Sequence, residues 1–405
     1  MRTILITGPG GGGRTTLAAA TALSAARAGS RVLLLGVDRD DALGAALGAS
    51  TGPRPVAVAD RLTVLRPDPA RGFRADLTAL QDRASAALDL LGARRLDPEE
   101  FAPPPGAEEL ALLRAVRDAV HESRHDVLVV DLPPAPRALA LLGLPEELRR
   151  CLGRLAPPER QAARALRPVL GRLAGVPLPA EGLYETLARW RAESDAAEAV
   201  LAAPDTTVRL VAEPGPAGAE AVRTAALGLS LRGLRLELVL ANRVLPEVAG
   251  SGEGPWAGLV AQQRRTEEDW RRAFPVRRVP HLGRDPRGTD DLAALGAPGV
   301  GPAGDPIRWP VSDLLAEAGV LVWHLPLPGA VREEVELVRN GDELVVTAGP
   351  FRRVVPLPSA LRRCAVEGAA LREGELRVRF VPDPGQWPRV RAGEADGAAG
   401  RGPFG

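Results

Sequence analysis

The residues best suited to chemistry stand near the start of the chain. A short apolar segment, TILIT at residues 3–7, runs into GPGGGGRTT, Gly8 to Thr16. Glycines between a strand and a helix let backbone N–H groups converge on anionic oxygens at the helix N-terminus. Gly8, Gly10, Gly11 and Gly13 would allow that approach, and Gly12 completes the run. Thr15 would offer its hydroxyl to Mg²⁺, and Thr16 would bond a phosphate. In a chain with 44 glycines the run alone means little. The order strand, glycines, basic residue, Thr-Thr and helix is far more specific. One position departs from the pattern: Arg14 stands where such loops carry lysine. Arginine keeps the charge but is longer and forked, whereas lysine acts as a compact point charge.

A scaffold must hold this loop, and the apolar runs supply one. SRVLLLGVD (30–38), LTVL (62–65), HDVLVVD (125–131) and LRLELVLANRV (234–244) read as buried strands. Helical stretches separate them, beginning with TTLAAATALSAARAG. That alternation predicts an α/β fold, a doubly wound, mostly parallel sheet covered on both faces. Ligands of such sheets bind beyond the carboxyl ends of the strands, where Asp38, Asp131 and Asn242 would lie. Residues 137–200 are rich in leucine, including Leu139, Leu142, Leu148, Leu152, Leu155, Leu166 and Leu170. They read as helix–helix core or as an apolar groove open to a client.

The period changes after APGVGPAGDPIRWP, a Gly/Pro-dense linker at 297–312. EVELVRNGDELVVTA alternates apolar and polar residues about Asn340-Gly341, which predicts a hairpin with a type I′ turn. FRRVVPLP and GELRVRFVP supply further strands, so residues 313–388 form a small C-terminal β-sandwich. The tail, 389–405, has almost nothing to bury and is expected to be disordered.

Composition narrows the classes. The chain has 405 residues, 45% hydrophobic and 25% charged, as in an ordinary globular protein. Its net charge of +1 advertises no nucleic acid or anionic membrane. There is no lysine, so all 52 basic residues counted are arginine, as a GC-rich genome would favour. Cys151 and Cys364 are too far apart for a paired-cysteine zinc site. His121 and His125 have a metal-compatible spacing, but no third ligand stands out nearby. Neither a signal peptide nor an apolar run of transmembrane length is visible, so a cytoplasmic protein without stable membrane insertion is expected.

Several motifs together resemble a known family. GPGGGGRTTLAAATA resembles the deviant Walker A loop, usually Gly-Lys-Gly-Gly-x-Gly-Lys-Thr-Thr, of the ArsA and guided-entry ATPases. VLLLGVDRDDALG stands where that family has its first switch, and HDVLVVDLPPAPRALALLGLPEEL resembles its second. LVLANRVLP and VPHLGRDPRG resemble its adenine-side segments. The likeness covers about residues 1–300, so 1–296 is read as the ATPase domain, with a helical client region at about 137–200. EVELVRNGDELVVTAGPFRRVVPLP and ALREGELRVRF are similar to the alpha-crystallin (small-heat-shock-like) domain that some members carry. By resemblance, Asp38 orients the attacking water, Asp131 is the outer carboxylate for Mg²⁺, and Asn242 and Pro280 lie at the adenine of ATP.

Departures from the family pattern concentrate in the catalytic parts. Pro9 holds the position of the signature lysine, and proline has neither charge nor N–H. In the switches, Arg39 replaces Pro, Leu132 Thr, Pro136 Gly and Arg137 His. Losing one preorganised donor commonly costs about 10²–10³ in rate. The resemblance therefore implies a homodimeric chaperone or targeting factor for hydrophobic protein segments, with weak or absent ATP hydrolysis. Arginine at 14, 39 or 137 could compensate. The alternatives are a nucleotide-independent pseudo-ATPase scaffold and a relative that partitions DNA or cell-division machinery. Arsenite is disfavoured, because the family's metalloid-binding cysteine pair has no counterpart here.

Overall fold

The computed structural model describes residues 1–37, 40–83, 85, 94–155, 181–250 and 254–387. Asp38, Arg39, Leu166, Leu170 and the tail lie outside the described residues. The chain divides into two units, Met1–Ile307 and Arg308–Gly405.

The first unit is built on eight strands. They are β1 (Arg2–Thr7), β2 (Val32–Leu35), β3 (Val56–Ala59), β4 (Leu62–Leu65), β5 (Val127–Asp131), β6 (Thr206–Ala212), β7 (Leu236–Val244) and β8 (Val276–Pro280). Their order is β3-β4-β2-β5-β1-β6-β7-β8. β3 runs antiparallel to β4, and the other pairs are parallel. β5 is buried along its whole length, as its apolar run requires of a strand covered on both faces, and β6 is buried throughout although it carries Thr206, Thr207 and Arg209. Early strands lie on one side of β1 and late strands on the other. The sheet therefore switches direction at β1, where a crevice opens at the carboxyl edge.

Helices cover both faces. They are α1 (Arg14–Arg27), α2 (Ala42–Leu47), α3 (Pro69–Arg83), α4 (Ala107–Glu122), α5 (Ala135–Leu155), α6 (Glu181–Ala202), α7 (Pro216–Leu231), α8 (Pro255–Ala273) and α9 (Gly288–Ala294). Ile4, Ile6, Val32, Leu34, Val127 and Val129 share one core with Leu17, Leu23, Leu43 and Leu292 of α1, α2 and α9. The alternate residues Leu5, Leu33, Leu128 and Val130 are buried on the opposite face. There α4 and α5 both pack against α6, and α5 also meets α7. Among the described residues no helix is long and apolar enough to cross a membrane.

Several buried polar residues break the apolar pattern, among them an arginine in β6. Arg209, in mid-β6, is 1% exposed. It pairs with Glu237 of β7 at 2.7 Å and donates to the carbonyls of Pro298 (2.9 Å) and Gly299 (2.8 Å). Arg2 adds a bond to Gly301 O at 3.1 Å. The Gly/Pro segment read as a linker therefore begins as a bonded part of the first unit. A buried guanidinium needs acceptors, and the carbonyls of this segment provide them.

The second unit contains a four-stranded and a three-stranded antiparallel sheet. The first has the order β14-β15-β10-β9 and the second β11-β12-β13. The ranges are β9 (Val311–Leu314), β10 (Val320–Pro326), β11 (Val335–Asn340), β12 (Glu343–Ala348), β13 (Phe351–Pro356), β14 (Cys364–Arg372) and β15 (Glu375–Pro382). β9 thus starts inside the stretch read as linker. Trp309, just before it, meets Trp323 of β10 edge to face and lies under Arg353 of β13. Leu321, Trp323, Leu325, Leu376, Val378 and Phe380 bury one face of the larger sheet. On its other face Ser312 Oγ bonds His324 Nε2 at 2.9 Å, and His324 Nδ1 bonds Glu375, a row that ties β9, β10 and β15 together.

The hairpin expected at Asn340-Gly341 is present, but its turn is shifted by one residue. Asn340 pairs with Glu343, so Gly341-Asp342 form the two-residue turn. Gly341 takes the first central position at φ 58°, and Arg339 Nε donates to its carbonyl. Asn340 remains a strand residue. The turn with positive φ at both central residues is Glu373-Gly374, at 49° and 73°, between β14 and β15.

Candidate functional site

The site is built where β1 ends. Gly13 caps α1 at φ 87° and has no side chain to occupy the first-turn amides. Those amides are the donors an anion would use. Two glycines are sterically required. A Cβ on Gly8 would lie 1.9 Å from Val211 O, and one on Gly13 would lie 2.2 Å from Asn242 Nδ2. Gly10 meets no such neighbour and is exposed, as is Gly11. Gly12 is buried, and its N–H reaches Pro9 O at 3.4 Å. Thr15 and Thr16 lie in the first turn of α1, both half-buried.

Neighbouring strands hold the loop from both sides. From the β5 side, Leu132 N–H bonds Ile6 O and Ala135 N–H bonds Gly8 O, each at 2.9 Å. Thr7 Oγ1 donates to Pro133 O at 2.7 Å. From the β7 side, Asn242 is 5% exposed and its Nδ2 donates to Gly12 O at 2.8 Å. Arg243 follows at φ 54°, donates to Gly11 O at 3.3 Å and pairs with Glu213. Asn242, assigned by resemblance to adenine, thus has its amide donor on the loop. Pro280 is exposed at the end of β8 and pairs with Val244, on the same edge of the sheet.

Among the described residues, the guanidinium groups of Arg14 and Arg137 both bond protein acceptors. Arg14 Nη1 donates to Leu132 O and lies 4.0 Å from Asp131 Oδ1. Arg137 turns away altogether. Its guanidinium bonds Glu109 at 2.5 Å and Glu108 at 2.8 Å, both in the first turn of α4. The Arg137 hydrogen bond holds the Glu109 carboxyl below its usual range, outweighing partial burial, which pushes it up. Pro136 is exposed in the first turn of α5, where its missing N–H has no intrahelical partner to lose.

A divalent cation here would be held by Thr15 and Asp131. The fit is poor, because the buried Asp131 carboxylate already faces a guanidinium. Among the described residues no group of three His, Cys, Asp or Glu side chains is placed to hold a metal ion.

The leucines of the helical region divide. Leu139, Leu142 and Leu152 are buried, whereas Leu148 is half-buried. Leu148 and Leu152 also wall an apolar cavity of about 190 Å³ with Leu113, Pro145, Trp190 and Ala197. Sequence reasoning missed Trp190 and Arg243. Trp190 lies in a helix whose apolar pattern is weak, and Arg243 follows Asn242 with no motif of its own.

Comparison with known proteins gives two family matches. Residues 1–297 match the anion-transporting ATPase family (ArsA ATPase), and residues 318–380 match the HSP20-like domain found in ArsA. The chain is 70% identical to an uncharacterized protein of Streptomyces coelicolor, covering 96% of this chain and 100% of the relative. It is 26% identical to a putative arsenical pump-driving ATPase of Aquifex aeolicus, covering 93% and 99%. It is 28% identical to the ATPase GET3 of Ajellomyces dermatitidis over 44% of this chain and 52% of that one.

Proposed function

The chain belongs to the ArsA ATPase family, and on that premise we propose that it binds ATP and hydrolyses it very slowly. One observation carries the reading. The uncapped N-terminus of α1 and its glycine loop form a phosphate cradle, held in shape by Asn242 on Gly12 and by Ala135 on Gly8. Hydrolysis needs more, namely charge delivered to the transferring phosphoryl group. Pro9 has none to deliver, Arg137 is tied to Glu108 and Glu109, and Arg14 faces Asp131 and Leu132 O.

The proposed role is that of a homodimeric chaperone or targeting factor for hydrophobic protein segments, working in the cytoplasm. The cavity beside Trp190 and Leu148 supports this, since its wall is almost wholly apolar. Arg14's engagement favours a second reading, a scaffold that ignores nucleotide.

Equilibrium dialysis with labelled ATP separates the two. Wild type should retain ATP, and Gly13→Ala should lose it, because the new Cβ collides with Asn242 and forces a left-handed φ on alanine. No retention by folded wild type would establish the scaffold reading. Equal retention by Gly13→Ala would show that the cradle is not the site. Light scattering should give the mass of two chains.

A further inference from the structure

Asp131 ends β5 with its side chain 2% exposed. A carboxylate so deep needs a compensating charge. Arg14, at the first position of α1 and 12% exposed, brings one to within 4.0 Å of Oδ1. Its Nη1 is anchored there by donating to Leu132 O, the carbonyl next along the chain. Leu132 is itself fixed by its N–H on Ile6 O, so the anchor is a rigid one.

The chemistry of arginine matters here. Its charge is permanent, and its fork makes several directed bonds at once, whereas lysine offers a compact point charge on a shorter reach. Arginine in the loop therefore reaches a carboxylate that lysine, aimed at phosphate, would leave to a divalent ion. We propose that Arg14 replaces the divalent cation at Asp131, so that this loop binds nucleotide phosphate without Mg²⁺. The proposal rests on the reading of the loop as a nucleotide site. Arg14 spends its Nη1 donor on Leu132 O and turns its charge to Asp131, and phosphate oxygens are left to the amides of the loop and the first turn of α1.

The test is calorimetric titration of the full chain with ADP and ATP, once in Mg²⁺ and once in EDTA, for wild type and Arg14→Lys. Wild-type Kd values should agree within about threefold between the two conditions. Arg14→Lys should bind about tenfold or more tightly with Mg²⁺ than in EDTA, because the shorter side chain frees Asp131. Wild-type binding that tightens about tenfold with Mg²⁺ overturns the proposal and leaves the nucleotide site intact. A lysine variant as indifferent to Mg²⁺ as wild type also overturns it. No heat in either condition, from protein shown to be folded by its melting curve, removes the nucleotide reading and this inference together. The wild-type comparison stands whether or not the lysine variant folds.

Discussion

Glu237 shows at the scale of one residue how the scaffold beneath the loop is charged. Burial alone would push its carboxyl up; the hydrogen bond and charge of Arg209, with Thr207 and Arg2, outweigh that and hold it below the usual range. A depressed carboxylate stabilises the fold above its unfolded pKa, and that contribution is lost as pH falls through the folded value. Glu237→Gln should therefore cost about 3 kcal/mol at neutral pH, since it leaves Arg209 buried without its counter-charge. Melting curves of the two proteins should converge as pH falls through the carboxylate range. A gap that stays constant with pH would show that the loss is one of packing. Arg209 was not legible in the sequence, because a buried arginine looks like any other until its partners are placed. Glu237 and the carbonyls of Pro298 and Gly299 come from distant segments. Gly8 and Gly13 were singled out for close approach to phosphate; in the structure their missing Cβ atoms make room for Val211 O and Asn242 Nδ2. The direction of Arg14 was not legible, since motif position says where a side chain starts and not what it meets.

Among the elements, the buried strands with apolar runs were the easiest to read, whereas β6, with Thr206, Thr207 and Arg209, was not read. HDVLVVD and the strands beside it carry unbroken apolar runs, and only a sheet covered on both faces buries these completely. The Asn-Gly hairpin was right in its strands and wrong in its turn, where Gly341 rather than Asn340 takes the first central position. Leucine density in α5 could not separate core from groove, because both need apolar residues at helical spacing. In the structure Leu139 and Leu142 are buried, Leu152 is buried at a cavity wall, and Leu148 is half-buried there. Leu142→Ala should lower stability by about 2–4 kcal/mol in denaturant melts, as for a filled core site. Leu148→Gln, at a half-buried cavity wall, should leave stability within about 1 kcal/mol and weaken photo-crosslinking to an apolar helical peptide. Undiminished crosslinking by Leu148→Gln would mean that this cavity is not where a client sits.

At the scale of the whole molecule, two units with separate cores follow each other along the chain. Residues 308–388 should fold alone and give dispersed amide signals by NMR, because both antiparallel sheets and their buried residues lie within that stretch. A collapsed spectrum would mean that the fragment depends on the first unit. The larger unit matches an ATPase family, and its glycine loop carries proline at 9 and arginine at 14. If each missing donor costs about 10²–10³ in rate, a nucleotide that binds should remain intact for a long time. The direct measurement is the chemical state of bound nucleotide. Purified full-length protein is mixed with a substoichiometric amount of labelled ATP, incubated, passed through a desalting column and quenched in acid. Label should elute with the protein and remain almost entirely ATP after incubation for an hour. Protein-bound label recovered as ADP, with phosphate released in step, would contradict it and show that arginine in this loop does the work of lysine.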